Sequence, residues 1–202
     1  MVSGVHDFLA KRGIPLASNQ INFSLMFRKV SNMPQIAPDR AGPLWIAAQV
    51  THSLTALFRK DSTATAERCA ELGVPLIAYF PLANGLLTGR YDANNLPAFP
   101  KSLTMKKYVV GGADGYPEGG YQPLLSELRR IAAARGKTVA QVSINWCLAK
   151  GAIPIPGARD GQMASDNLGA MGWRLDDSEV AALEAAADAI GFEFSSGGFK
   201  LE

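Results

Sequence analysis

The chain has 202 residues, of which 48% are hydrophobic and 19% charged, and these values are typical of a folded, soluble domain. A formal net charge of +2 gives no basic field for nucleic acid, and no basic stripe interleaved with aromatics occurs. The N-terminus lacks the apolar core of a secretory signal, and no apolar run is long enough to cross a bilayer. We expect a soluble, cytoplasmic protein that binds neither nucleic acid nor a membrane.

The two cysteines carry no sign of a metal or redox site. Cys69 and Cys147 lie far apart, without the close pairing of a zinc or dithiol motif, and neither has a histidine at ligand spacing. We predict two buried thiols in a reducing compartment, and no bound metal.

A helix, a glycine and a strand follow one another twice in the first half of the chain. The pattern of 5–12 fits the tail of an amphipathic helix closed by Gly13, and 14–25 is typical of a strand. The pattern of 66–73 predicts a second helix with a glycine stop, followed by a buried strand over 74–82.

The same order returns in the second half. A helix over 124–135 should end at Gly136, and Thr138 is the predicted N-cap of a helix that stops at Gly151. The remaining predicted elements are a strand over 152–157, a helix over 162–171 and a helix over 177–189 capped by Asp176 or Asp177.

Apolar strands separated by helices predict a parallel sheet with helices outside it, of barrel or doubly wound type. Two segments do not fit this order. Residues 92–121 are rich in Gly, Pro and Asn and predict a long surface loop that borders a binding site. Residues 30–60 follow no period that continues their neighbours.

The third strand ends at a glycine and is followed by a helix. Such a joint places unpaired backbone N–H groups and the positive end of the helix dipole at one point, which suits a phosphate. The sequence therefore predicts an anion pocket from Gly157, Ala158 and Arg159, with the helix that starts near Asp160. An ordinary loop with a surface arginine is the alternative.

The second strand has a similar ending. Tyr79 lies at its C-terminal end, Pro81 and Gly85 shape a tight loop, and Arg90 follows. Taken alone, Tyr79 is either a residue of the core rim or a stacking platform, and a solvated side chain is the simpler interpretation of Arg90.

Three stretches together resemble a known family: SNQINFSL, then GVPLIAYFPLANGLLTGRY, then GKTVAQVSINWCLAKGAIPIPGARDGQMASDNLGAMGWRL. In order and spacing they are similar to the C-terminal half of the aldo-keto reductases, nearest to the plant and algal chloroplast-type members. The resemblance covers 1–29 and 61–190. It implies an incomplete TIM (β/α)8 barrel, with this chain supplying about strands six to eight and their helices.

The resemblance also implies NADP (NADPH) as the cofactor. It assigns Gln20 to the nicotinamide carboxamide and Tyr79 to stacking on the nicotinamide ring. The positions that match the pyrophosphate loop are Leu82, Ala83, Gly85 and Arg90. Those that match the adenosine end are Gly157, Ala158, Arg159, Asp166 and Asn167. Of these, Arg159 would favour the 2′-phosphate, and Asn167 would meet adenine. Phe80 departs from the usual serine, and Met163 from the usual glutamine or arginine.

The family reduces aldehydes and ketones with an Asp, Tyr, Lys and His set from the first half of the barrel. No tyrosine of this chain, and neither His6 nor His52, lies in a matching motif, so we expect no catalytic residue here. A truncated reductase, inactive alone and marginally stable because its sheet edges are unpaired, is the leading interpretation. A non-catalytic cofactor-binding or regulatory protein is the alternative, and a gene-model artefact without a role is a third.

The domain interpretation is a partial reductase domain over 1–202, interrupted by 30–60. The flanking segments join well without it, and Val30 and Lys60 codons can contain a splice donor and acceptor, which makes a translated intron the preferred origin. A real insertion with an added helix over 44–58 is the alternative. If Met1 is an internal start, a transit peptide could precede it, and a chloroplast location is then possible.

Overall fold

The computed structural model describes residues 2–28, 62–96, 108–111 and 118–190. Three parallel strands form one sheet in the order β1 (Asn19–Asn22), β2 (Leu76–Tyr79) and β3 (Ala152–Ile155). The helices in chain order are α1 (Val2–Ala10), α2 (Ser62–Glu71), α3 (Gln122–Arg135), α4 (Val139–Ala149), α5 (Gly161–Leu168) and α6 (Asp177–Asp188). A short 3-10 helix spans Ala83–Thr88. The predicted parallel α/β arrangement is confirmed as a partial sheet with helices, and segment 30–60 lies outside the described residues.

The helix ends follow the predicted signals. Gly136 is left-handed and closes α3, with its N–H directed to the carbonyls of Ala132 and Ala133. Thr138 caps α4 in a reciprocal pair with Gln141. Asp176 caps α6 in the same way with Glu179, because each side chain accepts a hydrogen bond from the other residue's backbone N–H.

Each strand is shorter than the apolar run that predicted it, and at β2 and β3 prolines without an N–H group border or enter the strand. Pro75 precedes β2, Pro156 follows β3, and Pro154 lies within β3, which is an edge strand of this sheet. Helix α5 likewise ends at Leu168, before the predicted 171, because the chain tightens there into i to i+3 hydrogen bonds.

The predicted surface loop over 92–121 is wrong in part. Tyr108, Val109 and Tyr121 are fully buried, and the Tyr121 hydroxyl donates to the carbonyls of Leu86, at 3.2 Å, and Tyr91. These three residues therefore belong to the core. Their burial anchors the chain on both sides of the undescribed stretches, which the Gly and Pro content could not indicate.

The core lies between the helices and one face of the sheet. Helix α2 packs on β1 and β2, α4 packs on β3, and α3 packs against α4 and α6. Trp146 of α4 is fully buried, with its ring centroid 5.0 Å from that of Phe23. Of the sheet residues that face these helices, Leu76, Ala78 and Ala152 are buried, and Asn19, Ile21 and Pro154 are partly buried.

The opposite face of the sheet is not buried in the same way. Side chains alternate along a strand, so the register places on one face Gln20, Asn22, Ile77, Tyr79, Ile153 and Ile155. We call this the open face. Ile153 is 53% exposed and Ile155 is 47% exposed. Strands predicted to be buried on both sides are therefore buried on one, since the helices of the described residues cover a single face.

Candidate functional site

The carboxyl ends of the three strands meet at one edge of the sheet. Asn22 pairs with Tyr79, and Tyr79 pairs with Ile155, so the segments that follow each strand leave the sheet side by side. We call this the strand-end edge. In α/β proteins, ligands bind outside the carboxyl ends of parallel strands. The structure thus brings two separately predicted sites, the loop after β2 and the joint after β3, to one edge.

Gln20 and Tyr79 lie on the same face, the open face. Gln20 pairs with Ile77, two residues before Tyr79, which makes the two side chains diagonal neighbours on adjacent strands. The Gln20 side chain is exposed and Tyr79 is half-buried. The Tyr79 ring meets the Phe80 ring edge to face, at a centroid distance of 5.2 Å and an angle of 67°. An amide and an aromatic ring on one accessible surface suit a flat, polar heterocycle.

The loop after β2 stores backbone strain. Phe80, Ala83 and Asn84 have positive φ values of 55°, 46° and 55°, a conformation that costs about 1–3 kcal/mol for a residue with a side chain. The buried hydroxyl of Ser143 donates to the Leu87 carbonyl at 3.0 Å and holds the loop to α4. Strain that the surrounding structure maintains is found at ligand-binding sites, and here it coincides with the predicted pyrophosphate loop.

The residues predicted in this loop differ in accessibility. Leu82 and Gly85 are half-buried, and Ala83 is fully buried, so only its backbone can face a ligand. The Arg90 side chain is exposed, with its guanidinium carbon 5.7 Å from the centroid of the Tyr91 ring. The backbone N–H of Arg90 is held by the Thr88 hydroxyl at 3.3 Å.

The joint after β3 gathers the second predicted group. Gly157, Ala158, Arg159 and Asp166 are exposed. The Asn167 side-chain amide, half-buried on α5, donates to the Gly157 carbonyl at 3.4 Å, which brings the helix residue to the turn. The structure therefore places the predicted adenosine-end residues around one turn and one helix.

Two glycines of this joint are not explained by the fold. Gly157 and Gly161 have no positive φ, and a Cβ atom on either one would meet nothing within 4 Å. Neither backbone conformation nor internal packing thus requires a glycine there. The open space around both glycines leaves their backbone accessible from outside.

Sequence reasoning missed the role of Asp160. Its carboxylate caps α5 by accepting the Met163 N–H at 2.8 Å, and it puts a negative charge beside the predicted anion pocket. An acidic residue directly before a short polar helix is an N-cap signal and could have identified it. Arg159, its neighbour in the chain, supplies the opposing positive charge.

The titratable groups near the loop serve the structure. Burial raises the pKa of the Tyr121 phenol, and its hydroxyl donates to two carbonyls, so it is unsuited to donate a proton to a substrate. The Arg129 guanidinium, 2.7 Å from the Asp92 carboxylate, lowers the pKa of Asp92. Burial raises the pKa of Cys147 to about 12 and that of Cys69 as well, and the predicted burial of both free thiols is confirmed.

Within the described ranges, no group of three His, Cys, Asp or Glu side chains is arranged to hold a metal ion. Across the same part of the chain, no helix has the length and apolar character needed to cross a membrane.

The fold is a segment of a (β/α) protein in which the carboxyl ends of three parallel strands meet at one edge. The model of the Aldo/keto reductase family matches residues 2–188, and the chain belongs to this family. The expected resemblance is confirmed.

Among curated relatives, the chain is 37% identical over 183 residues to the chloroplastic pyridoxal reductase of Arabidopsis thaliana, covering 91% of this chain and 40% of the relative. It is 29% identical over 148 residues to the aldo-keto reductase yakc [NADP(+)] of Schizosaccharomyces pombe, covering 70% of this chain and 42% of the relative. The chain thus spans less than half the length of these two relatives.

Solved structures share the fold. A variant of Gox0644 in complex with NADPH matches with a TM-score of 0.52 and 16% identity, over 99% of this chain and 49% of that one. The glycerol dehydrogenase AKR11B4 from Gluconobacter oxydans matches with a TM-score of 0.50 and 24% identity, over 69% of this chain and 42% of that one.

Proposed function

We propose that this chain supplies the dinucleotide-binding wall of an NADPH-dependent reductase of aldehydes and ketones. The observation that carries the proposal is the strand-end edge, where Tyr79, the strained loop after β2 and the open turn at Gly157 lie side by side. Membership of the aldo-keto reductase family supports the reaction class.

The residues present fit an extended dinucleotide. Gln20 and Tyr79 share the open face, where an amide can bond a carboxamide and an aromatic ring can stack on a nicotinamide. The next position along the edge is the strained loop, with Gly85 and Arg90. At the other end, the turn at Gly157 leaves room for a phosphate to approach the backbone.

Charge at the adenosine end decides between NADP and NAD in this proposal. The exposed Arg159 can pair bidentately with a 2′-phosphate, whereas the Asp160 carboxylate repels one. The amide of Asn167, already directed to the Gly157 carbonyl, can rotate toward adenine. We therefore expect binding that depends on the 2′-phosphate and on salt.

When bound, NADPH would supply a hydride to the carbonyl carbon of the substrate. The part of this wall is to orient the nicotinamide through Gln20 and Tyr79 and to hold the phosphates. The acid that protonates the alkoxide is not among the matched motifs, and the buried Tyr121 hydroxyl cannot reach a substrate. We propose that the 202-residue chain is inactive alone.

The first experiment is calorimetric titration of the purified chain with NADPH, NADH and adenosine 2′,5′-bisphosphate. We expect saturable NADPH binding weaker than roughly 100 μM, because half of a complete site is absent, and weaker binding still of NADH. A low-micromolar NADPH affinity would contradict the incomplete site. Equal affinities for NADPH and NADH would contradict the role of Arg159, and no saturable binding would refute the cofactor wall.

Substitutions at two separate glycines, Gly157 and Gly4, make this binding test specific. Gly157→Ala should weaken adenosine 2′,5′-bisphosphate binding roughly tenfold, because a methyl group would occupy the approach to the backbone, while stability stays unchanged. Gly4→Ala is the matched control, since Gly4 in α1 also has open space around it. It should leave binding unchanged. Equal binding by both variants and the wild type would remove the ligand explanation for Gly157.

An activity assay separates the enzyme from the non-catalytic alternative. The name of one relative makes pyridoxal the first aldehyde to test with NADPH. We expect no turnover by this chain, and measurable turnover would contradict its proposed inactivity. A transcript read through 30–60 and upstream of Met1 then tests the intron and internal-start hypotheses. An upstream half with the Asp, Tyr, Lys and His set favours the reductase.

A further inference from the structure

The side chain of Gln141 connects two elements that the proposed site needs in register. Gln141 lies at the third position of α4 and forms the capping pair with Thr138: its side-chain oxygen accepts the Thr138 N–H at 3.1 Å, and its backbone N–H donates to the Thr138 hydroxyl at 3.1 Å. Its amide nitrogen then donates to the Asp166 carbonyl of α5 at 2.9 Å. One side chain thus caps α4 and holds α5.

Gly169 makes room for this contact. A Cβ atom at Gly169 would lie 2.2 Å from the Gln141 amide nitrogen and 2.8 Å from its carbonyl carbon. The φ of Gly169 is −62°, which any residue adopts, so the backbone alone does not require a glycine. A Cβ atom at Gly169 would force the end of the Gln141 side chain to move away from its present place.

Asp166, whose carbonyl Gln141 holds, is one of the predicted contacts to the adenosine end of the ligand, and Asn167 beside it is another. Asp166 accepts a hydrogen bond from the Gln162 amide at 2.8 Å, and the next residue, Asn167, reaches the Gly157 carbonyl. The α5 face toward solvent carries few other anchors, since Leu168 is 64% exposed and α5 has no buried residue. The Gln141 amide joins α4 to the Asp166 carbonyl, which also accepts the Gly169 N–H at 3.2 Å.

We propose that Gln141 is a positioning residue that fixes Asp166 and Asn167 on α5 for the adenosine end of the dinucleotide. This inference rests on the proposed cofactor function, but it concerns a residue outside the binding surface. The Gln141 amide does not touch the ligand in this scheme. It acts by holding the Asp166 carbonyl.

The decisive variant is Gln141→Glu, which keeps an oxygen to accept the Thr138 N–H and removes the donor to Asp166. The matched control is Gln122→Glu on α3, because the Gln122 amide nitrogen also donates to a backbone carbonyl, that of Val109, at 3.0 Å. Two readouts are measured on the full chain: amide hydrogen exchange along α4 and α5, and the dissociation constant of adenosine 2′,5′-bisphosphate.

For Gln141→Glu we expect faster exchange within α5, with α4 unchanged, and binding weaker by roughly tenfold, the equivalent of one lost hydrogen bond. Gln122→Glu should leave both readouts as in the wild type. An unchanged α5 with unchanged affinity, or an equal loss of affinity in the two variants, would overturn the inference. If the wild-type chain binds no adenosine bisphosphate, the proposed function fails, and exchange in α5 alone then decides whether Gln141 holds the helix.

A double-mutant cycle covers the case in which Gln141→Glu perturbs folding. Gly169→Ala should displace the Gln141 amide and reproduce the α5 exchange and the affinity loss. In a Gln141→Ala background, Gly169→Ala should add less than it does alone, because the clash with the Gln141 amide has been removed and only the 3.2 Å approach to the Asp166 carbonyl remains. Additive effects of the two substitutions would show that they act separately and would contradict the proposal.

Discussion

The two faces of the three-stranded sheet are built differently. The face toward the helices is closed: Leu76, Ala78 and Ala152 are at most 4% exposed and pack under α2 and α4. The open face leaves Ile153 and Ile155 about half exposed and presents Gln20 and Tyr79. The buried packing and the predicted ligand contacts therefore lie on opposite sides of the same strands, so substitutions on each side should have separable effects.

The largest predicted effect is on the closed side. Leu128→Ala removes a fully buried side chain of α3 and should lower the free energy of unfolding by about 3–5 kcal/mol, because the cavity adds to the lost burial. Chemical denaturation, with the midpoint and slope both fitted, measures it.

Ile155→Ala is the matched control on the open face. Its side chain is already 47% exposed, so the substitution should cost under about 1 kcal/mol. Equal losses in the two variants would mean that the open face is covered in solution, and the contrast between the faces would fail.

The second effect concerns a buried polar side chain on the closed side and the hydrogen bonds that it makes. Asn145 of α4 is fully buried, donates to the carbonyls of Ala170 and Trp173 at 2.9 and 3.0 Å, and accepts the Leu175 N–H at 2.9 Å. Asn145→Ala should cost about 2–3 kcal/mol, because it leaves a buried N–H without a partner.

Ser143→Ala, measured in the same denaturation series, is the comparison for Asn145. Ser143 is also a buried polar residue of α4, but its hydroxyl donates to two carbonyls and supports no buried N–H group. It should cost less than Asn145→Ala. A larger loss in free energy of unfolding for Ser143→Ala would mean that its hydrogen bond to the loop after β2 stabilises the fold more than the bonds of Asn145 do.

Much of the fold could be predicted because it depends on local signals. The caps at Thr138 and Asp176 and the glycine stop at Gly136 act within a few residues. The sequence predicted Thr138 and Gly136 directly, and for the last helix it left Asp176 and Asp177 as alternatives. Burial of Tyr108 and Tyr121 could not be predicted, because it depends on contacts between distant segments such as the bond from Tyr121 to Leu86. Exposure of Ile153 was missed for the same reason, since an apolar strand pattern does not show which faces find a cover.

In the candidate site, too, the features set by local signals could be predicted, and those set by contacts between distant segments could not. Glycine joints at strand ends are local signals, and they identified the turn at Gly157 and the loop at Gly85. The assignment of individual ligand contacts came from the family resemblance and stays a prediction. The capping role of Asp160 and the bond from Gln141 to α5 emerged only from the structure, because they depend on how α5 is placed.

The third effect tests how the negative charge of Asp160 changes anion binding at the strand-end edge. Asp160→Asn should tighten adenosine 2′,5′-bisphosphate binding by roughly two- to fivefold, because it removes a repelling charge and keeps an equally good helix cap. Titration at low and high salt measures it, and the gain should shrink as salt rises. Weaker binding at low salt would mean that the carboxylate is a ligand contact and that the predicted anion pocket is wrong.

The smallest effect concerns the ion pair between Asp92, in the segment that follows the loop after β2, and Arg129 of α3. Asp92, in the segment after the loop of β2, contacts Arg129 of α3 at 2.7 Å, and this hydrogen bond lowers the pKa of Asp92. A carboxylate with a lowered folded pKa contributes stability above its unfolded pKa, about 3.9, and loses it as pH falls through the lower folded value. The destabilisation by Asp92→Asn should therefore be present at neutral pH and vanish in acid. Arg129→Gln should flatten that difference between pH values, since it removes the main cause of the shift. If the loss in free energy of unfolding caused by Asp92→Asn instead grows as pH falls, Asp92 and Arg129 do not form this ion pair in solution.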